Sequence, residues 1–255
     1  MNPKSTILNL QSAITPPISP SPYGLFLLLA IIVSAVYWIR HSKNDPLLPL
    51  VYAAALGGAF LGAKIAFLAA EGWFAPAGDQ RWLHLLTGKS VTGALLGGFL
   101  GVELTKRLVG YKKITGDKFA LIAPIGIIIG RIGCLTHGCC QGIACNLGPF
   151  SIRGPDGTAH WPAVPVEMLF NLLAVTAVVL LRRANRFPNQ LFHLYLVAYG
   201  LFRFAHEFLR ATPKPLAGLS GYQVIALLLA LTGAIAYHIR AKSQLSSNPA
   251  RGAGQ

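Results

Sequence analysis

The chain has 255 residues, of which 53% are hydrophobic and 12% are charged, and its formal net charge is +14 at pH 7. A soluble domain usually carries about 25% charged residues, so the composition excludes an ordinary soluble protein and indicates a polytopic membrane protein. The positive charge does not indicate a nucleic-acid partner, because so apolar a chain has no solvated basic face to offer.

Seven apolar segments follow a polar, proline-rich N-terminus. Residues 1–22 do not resemble a cleavable signal peptide, and we expect a flexible tail. A helix needs about 20 mostly apolar residues to cross the hydrocarbon core. We therefore predict an all-α fold with seven transmembrane helices over 23–240 and a polar tail over 241–255. The predicted spans are 23–40, 47–70, 91–109, 118–133, 164–182, 190–209 and 218–239.

Basic residues are concentrated in one set of alternate loops and in the C-terminal tail. Because Lys and Arg are enriched in cytoplasmic loops, the bias predicts a periplasmic N-terminus and a cytoplasmic C-terminus. The opposite side holds only Lys4, Arg81, Lys89, Arg153 and Lys214. The loops on the predicted cytoplasmic side contain Arg40, Lys43, Lys106, Arg107, Lys112, Lys113, Lys118, Arg182, Arg183, Arg186, Arg240, Lys242 and Arg251.

The fourth segment, 118–133, is short and contains Pro124 and several glycines. We expect a broken helix there, since such a break is tolerated where protein or a watery cavity takes up the freed backbone groups. The segment runs into GRIGCLTHGCCQG, residues 130–142, where an arginine, a histidine and three cysteines lie among glycines. Glycines allow backbone N–H groups to surround an anion, so we interpret this stretch as a cradle for a phosphate headgroup.

All four cysteines fall between residues 134 and 145, with His137 among them. Their order, Cys-x2-His-x-Cys-Cys-x4-Cys, matches no standard zinc knuckle, and we expect no bound metal. The predicted periplasmic side permits disulfides, although spacing alone does not choose a pairing. A disulfide or inert packing ranks first, reactive thiols second and a metal site third.

Several ionisable residues lie inside the apolar segments, where a charge costs about 2.5–3.5 kcal/mol and usually marks function. Arg203 and Glu207 are four residues apart, so they share one helical face and can pair. Lys64 lies in the second segment, and Arg210 at the end of the sixth can extend to the interface. Glu103 in the third segment and Glu167 near the start of the fifth can each neutralise a buried cation, and the sequence does not choose their partners.

Two stretches resemble the prolipoprotein diacylglyceryl transferase family, and the resemblance covers about residues 47–240. GRIGCLTHGCCQG keeps the glycines and the arginine of the family signature G-R-x-G-N-F-x-N-x-E-x-x-G, at Gly130, Arg131, Gly133 and Gly142. QLFHLYLVAYGLFRFAHEFLR, residues 190–210, resembles a second family pattern and supplies Gln190, Tyr195, Tyr199, Gly200, Arg203, Glu207 and Arg210. GAKIAF, WPAVPVE and Gln223 match more weakly.

The resemblance implies an enzyme of the bacterial inner membrane that needs no cofactor. Such enzymes transfer a diacylglyceryl group from phosphatidylglycerol to the lipobox cysteine of a prolipoprotein signal peptide and release glycerol phosphate. Arg131 and Arg203 would stabilise the phosphate leaving group, Glu207 would orient Arg203, and His137 or His206 would accept the thiol proton. The implied substrate-binding positions are Gly130, Gly133, Cys134, Gly142, Thr92, Gly93, Lys64, Tyr199 and Arg210.

The chain departs from the family pattern at several of these positions. Cys134, His137 and Cys139 stand where the signature has asparagine, asparagine and glutamate, Thr92 replaces a histidine, and Lys64 replaces an arginine. Two alternatives therefore accompany the transferase. One is a protein that binds anionic phospholipid without transfer, or modifies another acceptor. The other is a thiol-redox or metal-handling membrane protein centred on residues 134–145.

Overall fold

The computed structural model describes residues 22–74, 80–154 and 157–247, and the chain within these ranges is mainly helical. The predicted tails at 1–21 and 248–255 lie outside the described residues. Short 3-10 turns occupy Gly72–Phe74, Gly148–Phe150 and Glu207–Leu209. The helices are α1 (Pro22–His41), α2 (Leu48–Ala70), α3 (Gln80–Thr87), α4 (Val91–Leu108), α5 (Gly116–His137), α6 (Ala163–Arg183), α7 (Leu191–His206) and α8 (Gly221–Ser247).

Five helices of the described chain are long and apolar enough to cross a membrane, namely α1, α2, α5, α6 and α8. Large apolar side chains project outward from these helices, and Ile65, Leu173 and Ile235 are each about 60% exposed. α4 has 18 residues and carries Lys106 and Arg107 in its last turn, whereas α7 has only 16 residues. An all-α membrane protein is thus confirmed, and the count of seven spans stays a prediction.

The helices pack in pairs, α2 against α4, α7 against α8, and α5 against both α1 and α6. Glycines let α2 and α4 approach closely, since a Cβ atom on Gly62 would lie 2.3 Å from the carbonyl oxygen of Gly93. Small residues commonly allow such close contacts between membrane helices. A core including Leu95, Tyr195 and Leu229 joins α4, α7 and α8, and the charged site lies beside it.

The expected break in the fourth segment is wrong, because α5 is continuous from Gly116 to His137. Pro124 lies inside the helix, where it removes one backbone donor without ending the helix. In a membrane helix, neighbouring helices and local adjustments compensate for that loss. Gly130, Arg131 and Gly133 are therefore helical, and they do not form a glycine-rich turn.

The loop between α5 and α6 contains the small sheet of the described chain. Strands β1 (Ile152–Arg153) and β2 (Ala159–His160) pair antiparallel. A separate bridge joins Gly142 to Arg210, so this loop lies against the end of the sixth predicted span. α3 and both strands were not predicted, and α8 continues to Ser247, beyond the predicted end of the last span at residue 239.

Candidate active site

Three helices and the turn after α7 bring five charged side chains together inside the protein. We call them the buried charge cluster, and each is at most 6% exposed. α5 supplies Arg131, α6 supplies Glu167, and α7 supplies Arg203. Glu207 lies in the turn Glu207–Leu209, and Arg210 follows it directly.

Glu167 is the centre of this cluster because its carboxylate contacts three other side chains. Arg131 Nη2 lies 2.8 Å from Oε1, and Arg203 Nη1 lies 3.4 Å from Oε2. The Tyr199 hydroxyl also donates to Oε1, at 2.7 Å. The guanidinium groups of α5 and α7 thus converge on the two oxygens of one carboxylate, a planar anion that arginine often binds in this way.

Glu207 holds the other arginines of the cluster. Arg203 Nη2 lies 2.8 Å from Glu207 Oε2, which confirms the predicted i, i+4 pair, and Arg210 Nε lies 3.6 Å from the same oxygen. The other carboxylate oxygen accepts hydrogen bonds from the hydroxyls of Thr212 and Ser220. These contacts place Glu207 to orient Arg203.

The cluster has one positive charge more than its carboxylates neutralise, since three arginines face two glutamates. Several guanidinium N–H groups are buried without a hydrogen-bond partner within the described residues, namely Arg131 Nε and Arg210 Nε and Nη1. Leaving a buried donor unsatisfied costs about 1–3 kcal/mol or more when the group is charged. An anion with several acceptor oxygens would satisfy these donors and balance the charge.

Three of the four cysteines gather beside Arg131. The Sγ atoms of Cys134, Cys139 and Cys140 all lie within 4.8 Å of one another, and we call this group the thiol triad. None of the four cysteines is in a disulfide in the described structure. Arg131 Nη1 lies 3.7 Å from Cys134 Sγ and 3.6 Å from Cys140 Sγ. Arg131 therefore joins the buried charge cluster to the thiol triad.

Outside the helices, the Cys140 thiol has a distinct electrostatic setting. Hydrogen bonds from the thiols of Cys134 and Cys139, together with the nearby positive charges of Arg131 and Arg210, lower the pKa of Cys140 below its usual range. The nucleophilic form of cysteine is the thiolate. Cys140 is therefore the member of the triad with the strongest thiolate character.

Lys64, Thr92 and Gly93, three other predicted site residues, have described contacts with α2, α3 and α4 rather than with the buried charge cluster. The Lys64 ammonium donates to the carbonyl oxygens of Leu85 and Gly88, at the end of α3. Thr92 is buried, and its hydroxyl hydrogen-bonds to that of Ser90 at 2.8 Å. Gly93 packs against α2. These three residues organise the junction of α2, α3 and α4.

The glycines predicted to cradle a phosphate have different surroundings. An added Cβ atom would meet nothing within 4 Å at Gly130, whereas at Gly133 it would lie 3.1 Å from Phe26 Cβ on α1. At Gly142 it would lie 2.5 Å from the carbonyl oxygen of Trp161. Gly133 and Gly142 thus permit close packing, and their positions give no sign of an anion-binding turn.

The two candidate histidines differ in position. His137 is exposed at the end of α5, and no described contact joins it to the buried charge cluster. His206 is 4% exposed, its Nε2 accepts a hydrogen bond from Trp161 Nε1 at 3.2 Å, and its ring stacks on Phe202. A role for His137 as a base stays a prediction.

Glu167 is the centre of the site, but the sequence offered it only as one of two carboxylates, with Glu103, that could neutralise a buried cation. The available signal was a carboxylate in the first turns of an apolar span, where an unpaired charge would be costly. Its partner could not be chosen, because Arg131 is 36 residues away in the chain. Tyr199 and Arg210, which the sequence did predict, lie in contact with the cluster's carboxylates.

Comparisons with known proteins show the family of the chain. A family model described as prolipoprotein diacylglyceryl transferase matches residues 11–239. Phosphatidylglycerol–prolipoprotein diacylglyceryl transferase 2 of Clostridium perfringens is 26% identical over 234 residues, covering 85% of this chain and 90% of that protein. The phosphatidylglycerol–prolipoprotein diacylglyceryl transferase of Dehalococcoides mccartyi is 27% identical over 221 residues, covering 81% of this chain and 84% of that protein. The enzyme of the same name from Idiomarina loihiensis is 33% identical over 161 residues, covering 58% of this chain and 60% of that protein.

Proposed function

The chain belongs to the prolipoprotein diacylglyceryl transferase family, and from that premise we propose that it transfers a diacylglyceryl group from phosphatidylglycerol to a cysteine thiol of a prolipoprotein. Glycerol phosphate is the second product. The names of the relatives supply the lipid donor and the class of acceptor. We further propose that the acceptor cysteine is the lipobox cysteine of a signal peptide, and that the surrounding membrane lipids deliver the donor.

The observation that carries this proposal is the buried charge cluster, with its excess positive charge and its unpartnered guanidinium donors. A phosphodiester has one negative charge and two free oxygens, which match both features. Arg131 and Arg203 already converge on the carboxylate of Glu167. A phosphodiester placed beside that carboxylate would meet the same two guanidinium groups.

The reaction needs positive charge where the leaving group departs. When the bond between the glyceryl carbon and the phosphate oxygen breaks, the phosphate gains a second negative charge. Fixed donors in a site without water stabilise such developing charge more than water does. Arg131 and Arg203 supply these donors, and Glu207 positions Arg203 by pairing with it at 2.8 Å. Arg210 adds its Nε and Nη1 donors, which have no hydrogen-bond partner among the described residues.

We propose seven spans in the bacterial inner membrane, with α4 and α7 as the two short ones. α4 and α7 each pack against a longer helix, α2 and α8 respectively, so neither depends on lipid alone for its stability. The loop bias of basic residues supports a cytoplasmic C-terminus. The loop between α5 and α6 would then face the periplasm, where prolipoprotein acceptors are exported.

The proposal is tested by incubating the purified protein with radiolabelled phosphatidylglycerol and a lipobox peptide. We expect release of glycerol phosphate and a peptide that carries the diacylglyceryl group. Arg131→Ala and Arg203→Lys should each lower the rate by about 10²–10³-fold, because each removes donors from the leaving group. Arg183→Ala, which changes an exposed arginine at the end of α6, is the matched control.

The outcomes separate the transferase from its alternative. Release of glycerol phosphate that depends on Arg131 and Arg203, and is unchanged in the Arg183→Ala control, supports transfer. Phospholipid binding without any release, measured beside an active relative, refutes transfer and favours a protein that only binds anionic lipid.

A further inference from the structure

The thiol triad has the composition and spacing of a metal-binding site. Zinc–thiolate bonds are about 2.3 Å long, so two sulfurs on one tetrahedral cation lie about 3.8 Å apart. The Sγ atoms of Cys134, Cys139 and Cys140 lie within 4.8 Å of one another. Small side-chain rotations are therefore enough to place all three around a single cation.

The backbone after α5 turns sharply and brings the last two cysteines back toward the first. Gly138 ends the helix with a φ of 70°, and Cys140 has a φ of 63°. A positive φ is uncommon for residues other than glycine, and such strained positions cluster at functional sites. Cys139 N–H also donates to the Cys134 carbonyl oxygen at 3.2 Å, which fixes the turn that assembles the triad.

Arg131 can neutralise the net negative charge that such a metal site would have inside the protein. Three thiolates around a divalent cation have one negative charge in excess. Arg131 Nη1 lies within 3.7 Å of both Cys134 Sγ and Cys140 Sγ, so the guanidinium can neutralise that charge and donate to the sulfurs. Groups next to metal ligands commonly orient and tune them in this way.

The triad offers three ligands and leaves the fourth position open. Cys145 is not a member of the triad. The ring nitrogens of the nearby His160 are already engaged by the Thr158 hydroxyl and the Gly142 carbonyl oxygen. A cavity of about 300 Å³ borders all three triad cysteines, and its walls include Arg153 and Trp161. Three protein ligands with an open fourth position are typical of catalytic rather than structural zinc.

We propose that Cys134, Cys139 and Cys140 bind one thiophilic divalent cation such as Zn²⁺, whose open position in the cavity accepts the thiol of the acceptor cysteine. This inference deepens the proposed transferase and rests on it for the identity of the acceptor. The acceptor thiol would then be activated next to Arg131 Nη1, whereas Arg131 Nη2 contacts Glu167. One arginine then adjoins both the nucleophile and the leaving group.

The step balances without another reactant. A thiol that binds such a cation is deprotonated, and its proton passes to solvent. The sulfur lone pair forms a bond to the glyceryl carbon of the lipid, and the bond from that carbon to the phosphate oxygen breaks. The electrons of the broken bond stay on the oxygen, and glycerol phosphate leaves as a dianion beside Arg131 and Arg203.

Metal binding by the full-length protein in detergent tests the site directly. After reduction and removal of bound metal with a chelator, we expect about one equivalent of Zn²⁺ to bind. Co²⁺ in its place should give a thiolate-to-metal charge-transfer band. Cys139→Ser and Cys140→Ser should each weaken binding by more than the 10–100-fold that changes beside a metal site typically cost. Cys145→Ser, outside the triad, should bind as the wild type does.

Three results would overturn the site. They are no bound Zn²⁺ or Co²⁺ in the wild type, equal loss of binding in Cys145→Ser and Cys140→Ser, and a disulfide within the triad of the protein as isolated. Cys134→Ser is not used, because this residue is buried and a serine there would also change the packing of α5. Thermal unfolding of the metal-free variants checks that Cys139→Ser and Cys140→Ser fold as the wild type does.

Activity separates this inference from the proposed function. We expect the chelated protein to lose release of glycerol phosphate and to regain it with Zn²⁺. If the chelated protein transfers at the full rate, the metal-activated thiol is refuted while the transferase stands. If the protein binds Co²⁺ through the triad but releases nothing with or without metal, the transferase and the thiol activation both fail and only the cation site is supported.

Discussion

At the scale of single residues, Glu167 determines whether the buried charge cluster is stable. It is fully buried, and its carboxylate pairs with arginines from two different helices. A buried ion pair adds little net stability over an apolar pair, but removing one partner leaves an uncompensated charge. The carboxylate is thus required to keep Arg131 and Arg203 side by side when no lipid is bound.

Glu167→Gln should destabilise the protein by about 3–5 kcal/mol, because it leaves two buried guanidinium groups without their shared counter-charge. Thermal unfolding in detergent measures this as a lower melting temperature. Glu103→Gln on α4, outside the buried charge cluster, is the matched control and should unfold close to the wild type. A melting temperature for Glu167→Gln equal to that of the control would contradict the central role of Glu167.

The sequence predicted one of the contacts in this cluster and missed another, for a definite reason. Arg203 and Glu207 lie four residues apart on one helix, so helical geometry alone brings them together. Arg131 and Glu167 lie on different helices, 36 residues apart. Their contact depends on how α5 packs against α6, which no local pattern contains.

At the scale of elements, the junction of α2 and α4 depends on glycines that face each other. An added Cβ atom on Gly58 would lie 2.4 Å from the carbonyl oxygen of Gly97, and one on Gly97 would lie 2.2 Å from that of Gly58. Backbone atoms cannot move aside as a flexible side chain can. The close spacing of α2 and α4 therefore requires residues without a side chain at these two positions.

Gly58→Ala should force α2 and α4 apart and destabilise the protein by about 1–3 kcal/mol, the usual cost of overpacking. Gly57→Ala is a close control, since it is the preceding residue of α2 and nothing lies within 4 Å of an added Cβ atom there. Alanine favours helix over glycine by up to about 1 kcal/mol, so the control should unfold at the same temperature or slightly higher. Equal melting temperatures for both variants would argue against the close contact.

The largest error at this scale concerns α5. Pro124 and the neighbouring glycines indicated a broken helix, because proline lacks the backbone donor that the helix needs. The structure shows a continuous helix, and Arg131 and Cys134, three residues apart, are both buried near its end. Packing against α1 and α6 outweighs the local preference of proline, which is the usual way in which tertiary contacts override propensity.

At the scale of the whole molecule, the orientation of the protein in the membrane determines which compartment each site faces. The loop between α5 and α6 carries Cys139 and Cys140 of the thiol triad, and the basic residues lie mostly in the alternate loops. Under the proposed topology, the triad's cavity is open to the periplasm. An acceptor thiol exported with a signal peptide would reach it from that side.

Reporter fusions test this orientation. A fluorescent protein fused after Ser247 should fluoresce, because it folds in the cytoplasm, and alkaline phosphatase inserted after Gly154 should be active, because it needs the periplasm. The same reporters exchanged between the two positions are the control and should both be silent. Fluorescence or phosphatase activity in the exchanged pair would invert the topology and place the thiol triad in the cytoplasm.

Local residue patterns were enough to predict the membrane class, the approximate bounds of the long helices and the pairing of Arg203 with Glu207. These features follow from apolar run length and helical spacing, which are properties of neighbouring residues. The three-dimensional structure was needed to show that Glu167 binds two arginines and that His137 is exposed. It was also needed to show that Cys134, Cys139 and Cys140 lie together, without Cys145. Each of these depends on the packing of helices or the path of a loop, and such long-range contacts are set by the whole fold.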